Sequence, residues 1–125
     1  MEGTTLLYIG SIAIAIWGIA HLIPTSAIVK GFGELSPDNK KIITMEWIAE
    51  GLALIFIGAL VLLITMFYDP SNSAVVFVIR ASALMLVVMA ILSFFTGFRT
   101  SIIPIKICPF VKITVAVLFY LGSAT

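Results

Sequence analysis

Residues 42–67 read IITMEWIAEGLALIFIGALVLLITMF and carry only two charged side chains, Glu46 and Glu50. As an α-helix this run is ~39 Å long, which exceeds the ~30 Å hydrocarbon core of a bilayer. The Ser-Pro-Asp sequence at 36–38 is a helix-start signal, because serine caps a helix, proline fits its first position and aspartate faces the positive end of its dipole. The run therefore predicts a transmembrane helix that tilts or protrudes.

The composition of the whole chain indicates that its solvent is lipid. The 125 residues are 62% hydrophobic and 10% charged, with a mean hydropathy of +1.24, whereas soluble domains carry about 25% charged residues. Four crossings of ~20 residues each leave ~45 residues for connections. The net charge of +1 excludes a nucleic-acid-binding protein, and the single cysteine, Cys108, excludes an internal disulfide.

We predict an all-α fold in which four transmembrane helices form one bundle and both termini lie on the same side. The predicted spans cover approximately residues 5–23, 40–67, 72–96 and 105–123. Residues 24–41 are expected to form a surface loop. Pro70 is expected to begin the third helix after a tight turn, so that the second and third helices form a hairpin, and Pro109 to begin the regular part of the fourth.

The distribution of charge predicts an orientation in a prokaryotic cytoplasmic (inner) membrane. Six of the seven basic residues fall on the side of the two connections at 24–41 and 96–108: Lys30, Lys40, Lys41, Arg99, Lys106 and Lys112. By the positive-inside rule that side is cytoplasmic and the termini face outward. We expect the last three to anchor anionic lipids. Residues 1–5 lack the basic segment of a secretory signal, so the first span is expected to be retained.

Small residues recur every seven positions and predict where helices pack. The pairs are Ser11 with Gly18 and Gly51 with Gly58, followed by the series Ala83, Ala90 and Gly97. Small residues let helix backbones approach closely in lipid, and a seven-residue period suits left-handed packing. These seams also predict a homodimer.

A polar layer is expected near one membrane boundary. Glu46 and Glu50 are four residues apart and share one helix face, and His21 lies at a comparable depth of the first helix. Trp17 lies one turn from His21, and Trp47 follows Glu46. Ionisable groups within spans usually face the bundle interior or a cavity, so these five residues are the candidate ligand-binding residues, and the catalytic candidates are His21, Glu46 and Glu50.

Less functional interpretations of the same residues stay open. Glu46 could be an interfacial residue that reaches water or Lys40, and His21 could cap the end of the first helix without a further role. A metal held by His21, Glu46 and Glu50 is disfavoured because no fourth ligand is evident, so no cofactor is predicted. Arg80 is a sixth candidate ligand-binding residue, since a charge inside a span needs a partner, although its long stem could instead carry it to the headgroups or to Asp69.

The element Gly18-Ile19-Ala20-His21, followed by Pro24 and an acidic second helix, resembles the DoxX-like group of small four-helix membrane proteins. The resemblance implies the same bundle and, for some members, subunits linked to quinone-dependent sulfur oxidation. The chain is also similar to four-helix sterol isomerases in keeping acidic residues and tryptophan within the bundle.

Three functions follow as hypotheses. The first is a pocket for a small lipophilic ligand, either a lipid or a quinone-like molecule, with Glu50 and His21 as polar contacts. The second is a membrane acid–base enzyme on a lipophilic substrate, with a glutamate as proton donor and His21 as base. The third is a structural or accessory subunit of a membrane complex. Membrane lipids are expected partners in each case.

Overall fold

The computed structural model describes residues 2–97 and 100–124, and within these ranges it contains helices and no strands. The helices are α1 (Gly3–Leu22), α2 (Thr25–Lys30), α3 (Pro37–Phe67), α4 (Ser73–Gly97) and α5 (Ile103–Ala124). All except α2 are long and apolar enough to cross a membrane. The all-α four-helix prediction is therefore confirmed, and the chain is a small integral membrane protein. Arg99, one of the expected lipid anchors, lies outside the described residues.

Polar side chains define where the two central helices begin. The backbone N–H of Asn39 donates to Ser36 Oγ at 3.2 Å, so Ser36 caps α3 as predicted. The expectation that Pro70 begins the next helix is wrong, because α4 begins at Ser73. Asp69 instead closes a turn, in which its carboxylate accepts from the backbone N–H of Ser71 at 2.9 Å and from the Ser71 hydroxyl at 2.7 Å. These hydrogen bonds hold the pKa of Asp69 below its ordinary range.

Two further expectations about local structure are corrected. The connection at 24–41 is not only loop, since it contains α2, whose Val29 is buried. The fourth span does not begin its regular part at Pro109, because α5 already begins at Ile103 and Pro109 lies inside it. Pro104 sits in the first turn, where its missing N–H costs nothing, and Pro109 removes one hydrogen bond at a buried position.

The bundle is built around α1. This helix packs extensively against α3 and also against α5, and α5 in turn packs against α4. Contacts between α3 and α4 are sparse, so the short turn between these two helices does not produce a closely packed hairpin. Among the described residues, seven apolar core side chains are completely buried: Leu7, Ile14, Leu54, Val61, Ile79, Leu86 and Phe119. Large apolar side chains such as Phe56 and Phe77 point outward, 64% and 74% exposed, as lipid contact requires.

Small residues join α1 to α3, as the seven-residue spacing predicted. A Cβ atom on Gly18 would lie 2.8 Å from the carbonyl oxygen of Gly51, and a Cβ on Gly58 would lie 2.6 Å from that of Ser11. Only glycine allows the two antiparallel backbones to approach this closely. Because these seams are already occupied within the chain, a homodimer stays a prediction and needs another surface.

Both termini lie at one end of the bundle. A Cβ on Gly122, near the end of α5, would lie 2.8 Å from the carbonyl oxygen of Gly3, which begins α1. The termini are therefore on the same side, as expected. The end of α1 that carries His21 is at the opposite end of the bundle.

Candidate functional site

A cavity of about 380 Å³ lies at the end of the bundle opposite the termini. Its wall is mostly apolar, and six of the residues that form it are Trp17, Ala20, Pro24, Ile28, Pro104 and Ile105. The side chains that bring polar atoms to the wall are His21, Trp47, Glu50, Ser93, Thr96 and Cys108. Its volume is near the lower limit of the ~300–1,000 Å³ typical of small-molecule sites.

One of the residues that line the cavity, Glu50, forms an ion pair with Lys112. The ammonium group of Lys112 on α5 donates to Glu50 Oε1 on α3 and, at 2.7 Å, to Ser93 Oγ on α4. Ser93 in turn donates to the carbonyl oxygen of Met89 at 2.8 Å. Lys112 is completely buried, whereas the Glu50 side chain is 32% exposed. The ion pair to Glu50 and the hydrogen bond to Ser93 thus join three helices through one ammonium group, and the charges of Lys112 and Glu50 compensate each other.

Lys112 is the site residue that the sequence analysis missed. It was expected to anchor a lipid headgroup, and that expectation is wrong because its side chain points into the bundle. A signal for this was present in the sequence. Residues at i, i+4, i+7 and i+11 share one helix face, and Cys108, Lys112, Val115 and Phe119 follow this spacing and are all buried.

His21 is held by an aromatic stack and leaves one nitrogen without a partner. Its ring lies 3.9 Å from the Trp47 ring, with an angle of 16° between the planes. The Trp47 indole N–H donates to the backbone carbonyl of His21 at 2.8 Å, which fixes the stack. The His21 side chain is 9% exposed and its Nε2 is 3.6 Å from Glu50 Oε2, too far for a hydrogen bond. Among residues 2–97 and 100–124, that nitrogen finds no hydrogen-bond partner.

Trp17 closes the wall between α1 and α5. Its indole N–H contacts the Cys108 sulfur at 3.3 Å. This contact satisfies the indole nitrogen with a weak acceptor and leaves the aromatic ring as apolar wall. Both tryptophans of the chain therefore line the cavity.

The structure brings four of the six candidate ligand-binding residues to the cavity: Trp17, His21, Trp47 and Glu50. Glu46 is exposed and does not line the cavity. Arg80 does not join it either, since its Nε donates to Ser123 Oγ at 3.2 Å and its guanidinium lies 5.1 Å from the Tyr120 ring centre, near the termini.

The described residues contain no group of three or more His, Cys, Asp or Glu side chains that could hold a metal ion. In particular, His21, Glu46 and Glu50 do not form such a cluster. The prediction that the protein uses no cofactor remains a prediction.

The fold and the site define a class, that of a small four-helix membrane protein with a cavity between its helices. Comparison of the chain with family models, curated proteins and solved structures finds no match in any of the three.

Proposed function

We propose that this protein binds a small lipophilic molecule, a lipid or a quinone-like compound, in the cavity between α1, α3, α4 and α5. The observation that carries the proposal is an apolar cavity lined by His21 and Glu50, both of which have hydrogen-bonding capacity to offer. His21 Nε2 has no hydrogen-bond partner among the described residues, and Lys112 contacts Oε1 of Glu50 rather than Oε2. Binding sites commonly combine an apolar wall with a few convergent polar groups of this kind.

The ion pair favours binding over acid–base catalysis. An enzyme of the second hypothesis needs Glu50 or Glu46 to deliver a proton. Glu46 does not line the cavity, and the Glu50 carboxylate, in contact with a buried ammonium group, acts as an acceptor. Proton donation would require the Lys112 contact to break. A third role, as an accessory subunit, needs no ligand in the cavity. The resemblance to the DoxX-like group is compatible with binding and stays a prediction.

The test is native mass spectrometry of the purified protein, together with extraction and analysis of the lipids that it retains. Ala20→Phe places a ring in the cavity without touching the ion pair, and Glu46→Gln changes an exposed carboxylate one turn from Glu50. We expect wild type and Glu46→Gln to retain the same defined lipophile and Ala20→Phe to lose it. If all three proteins carry the same generic lipids, the proposal is wrong and the accessory role takes its place.

We also propose that the protein lies in a prokaryotic cytoplasmic membrane with the cavity end inside. Lys30, Lys40, Lys41 and Lys106 lie at the cavity end of the bundle, and Arg80 lies near the termini.

Labelling of intact cells tests this orientation. Glu34→Cys and Tyr68→Cys place thiols at opposite ends of the bundle, and the native Cys108 is buried. A membrane-impermeant maleimide is expected to label only the Tyr68→Cys variant. Labelling of only the Glu34→Cys variant would mean that the protein has the opposite orientation.

A further inference from the structure

We infer that the ligand is a neutral molecule that bears a hydroxyl group, of the phenol class, and that this hydroxyl bridges His21 Nε2 and Glu50 Oε2. This inference rests on the proposed function, because it specifies what the cavity recognises. It follows from the hydrogen-bonding capacity and charge of three side chains, His21, Glu50 and Lys112.

The separation of the two atoms suits one bridging oxygen atom. His21 Nε2 and Glu50 Oε2 are 3.6 Å apart, beyond hydrogen-bond range for a direct contact. An oxygen atom at about 2.8 Å from each of them satisfies both, because two such bonds span a separation of this size. The first carboxylate oxygen is already used by Lys112, so Oε2 is the oxygen that the cavity offers.

The chemistry of the two atoms requires the ligand to be a donor. An ionised carboxylate only accepts hydrogen bonds, so the group beside Oε2 must carry a hydrogen. The single hydroxyl hydrogen is then used by Oε2, so the hydroxyl oxygen accepts from Nε2, in the imidazole tautomer that carries its hydrogen on that nitrogen. A quinone carbonyl offers no hydrogen to Glu50, so of the two ligand kinds in the proposed function a hydroxyl-bearing molecule fits better.

The charge balance requires the ligand to be neutral. Lys112 and Glu50 compensate each other and are in direct contact. An acidic ligand would bring a second negative charge beside the Glu50 carboxylate, and a cationic ligand would compete with the ammonium group that already occupies the other side.

The aromatic wall and the size of the cavity favour a single ring. Trp17 and the stacked pair of His21 and Trp47 supply flat surfaces, and aromatic groups pack on one another in offset or edge-to-face arrangements. A volume of about 380 Å³ is at the low end of the range for small-molecule sites, which suits one ring with a short chain.

The experiment is a binding titration of the protein in detergent micelles with three probes of similar size: para-butylphenol, its methyl ether para-butylanisole and the hydroxyl-free para-butyltoluene. Because both tryptophans line the cavity, intrinsic tryptophan fluorescence reports occupancy directly. Excitation at the red edge of the indole band avoids absorption by the probes. Each affinity is expressed relative to the mole fraction of the probe in the micelle, so that partitioning is cancelled.

We expect the phenol to bind at least about tenfold more tightly than the ether or the toluene, because a hydrogen bond to a charged group is lost in both. Glu50→Gln is expected to remove this preference, since its amide carbonyl can take the Lys112 contact and turn an N–H group toward the cavity. Glu46→Gln is the matched control and should keep the preference. His21→Phe keeps an aromatic ring to stack on Trp47. It should weaken binding of the phenol while retaining part of the preference for it over the ether and the toluene.

The outcomes separate the two proposals. Equal binding of all three probes to wild type overturns the hydroxyl inference and leaves a lipophile-binding cavity. A fluorescence response to none of them overturns the hydroxyl inference, and the mass spectrometry and lipid analysis described above then decide the proposed function separately. A phenol preference that persists unchanged in Glu50→Gln also overturns the inference, because the donor would then be recognised elsewhere. If Glu50→Gln fails to fold, the wild-type comparison of the phenol with the ether still decides.

Discussion

The two partners of the buried ion pair should be unequal in their importance for stability. Lys112 is completely buried and the Glu50 side chain is 32% exposed. Replacement of Glu50 by leucine leaves an ammonium group in the bundle with Ser93 Oγ as its remaining acceptor. Removing one partner of a buried pair typically costs about 3–5 kcal/mol, and we expect the Glu50→Leu variant to fall in this range.

The converse replacement should cost less. Lys112→Met leaves a carboxylate that still reaches the cavity, so the loss is nearer the ~1–3 kcal/mol of an unmade polar contact. The double variant removes both charges, and replacement of a buried pair by apolar residues is often neutral. We therefore expect the double variant to lie within about 1 kcal/mol of wild type, and the two substitutions to be strongly non-additive.

The assay is equilibrium unfolding in mixed micelles with an increasing fraction of a denaturing detergent, followed by tryptophan emission. Lys40→Met, at an exposed position on α3, is the control and should change the unfolding free energy by less than about 0.5 kcal/mol. The reasoning is refuted if Glu50→Leu and Lys112→Met cost the same and their effects add in the double variant. That result would mean that the ammonium group reaches water without its partner.

Three further predictions concern the rest of the bundle. Gly58→Ala should lower the unfolding free energy by about 1–3 kcal/mol, because its Cβ would press on the α1 backbone, and the same unfolding titration measures this. Trp47→Phe should lower the unfolding free energy by about 1 kcal/mol, because it leaves the His21 carbonyl without its indole donor. An unfolding midpoint equal to that of wild type would contradict this prediction. Asp69 has a lowered pKa, so its contacts to Ser71 are present at neutral pH and should be lost only when the pH falls through that lowered value. The chemical shift of the Ser71 amide in an acid titration follows this change, and a transition at or above the ordinary aspartate pKa would refute it.

Several features of the fold could be predicted because they depend on local sequence. The lengths of the apolar runs, compared with the thickness of a bilayer, predicted the number of spanning helices. The capping residue Ser36 predicted the start of α3. The seven-residue spacing correctly picked out Gly18 and Gly51 as packing positions on their two helices, and the structure shows that they meet. Helix depth likewise brought His21 and Glu50 to one layer, because both are counted from helix ends that the sequence marks clearly.

The failure to predict Lys112 as a site residue has one physical cause. Pro109 was expected to begin the regular helix, which placed Lys112 in a first turn among the headgroups. The helix begins at Ile103, so Lys112 lies in the third turn and faces the interior. A proline within a helix is tolerated here because α5 packs against both α1 and α4, and this tertiary compensation is not visible in local propensity.

The position of Lys112 on α5 also has a consequence for how the protein is assembled in the membrane. The two small-residue contacts that join α1 to α3, Gly18 with Gly51 and Ser11 with Gly58, lie on helices that are synthesised early. These helices can therefore pair before the rest of the bundle exists. Glu50 then lacks its ion-pair partner, Lys112, until α5 is inserted. Among the four spanning helices, α5 comes last in chain order. Delivery of α5 is thus the step that completes the neutral interior, and chains interrupted between α4 and α5 would present an uncompensated carboxylate to the quality control of the membrane.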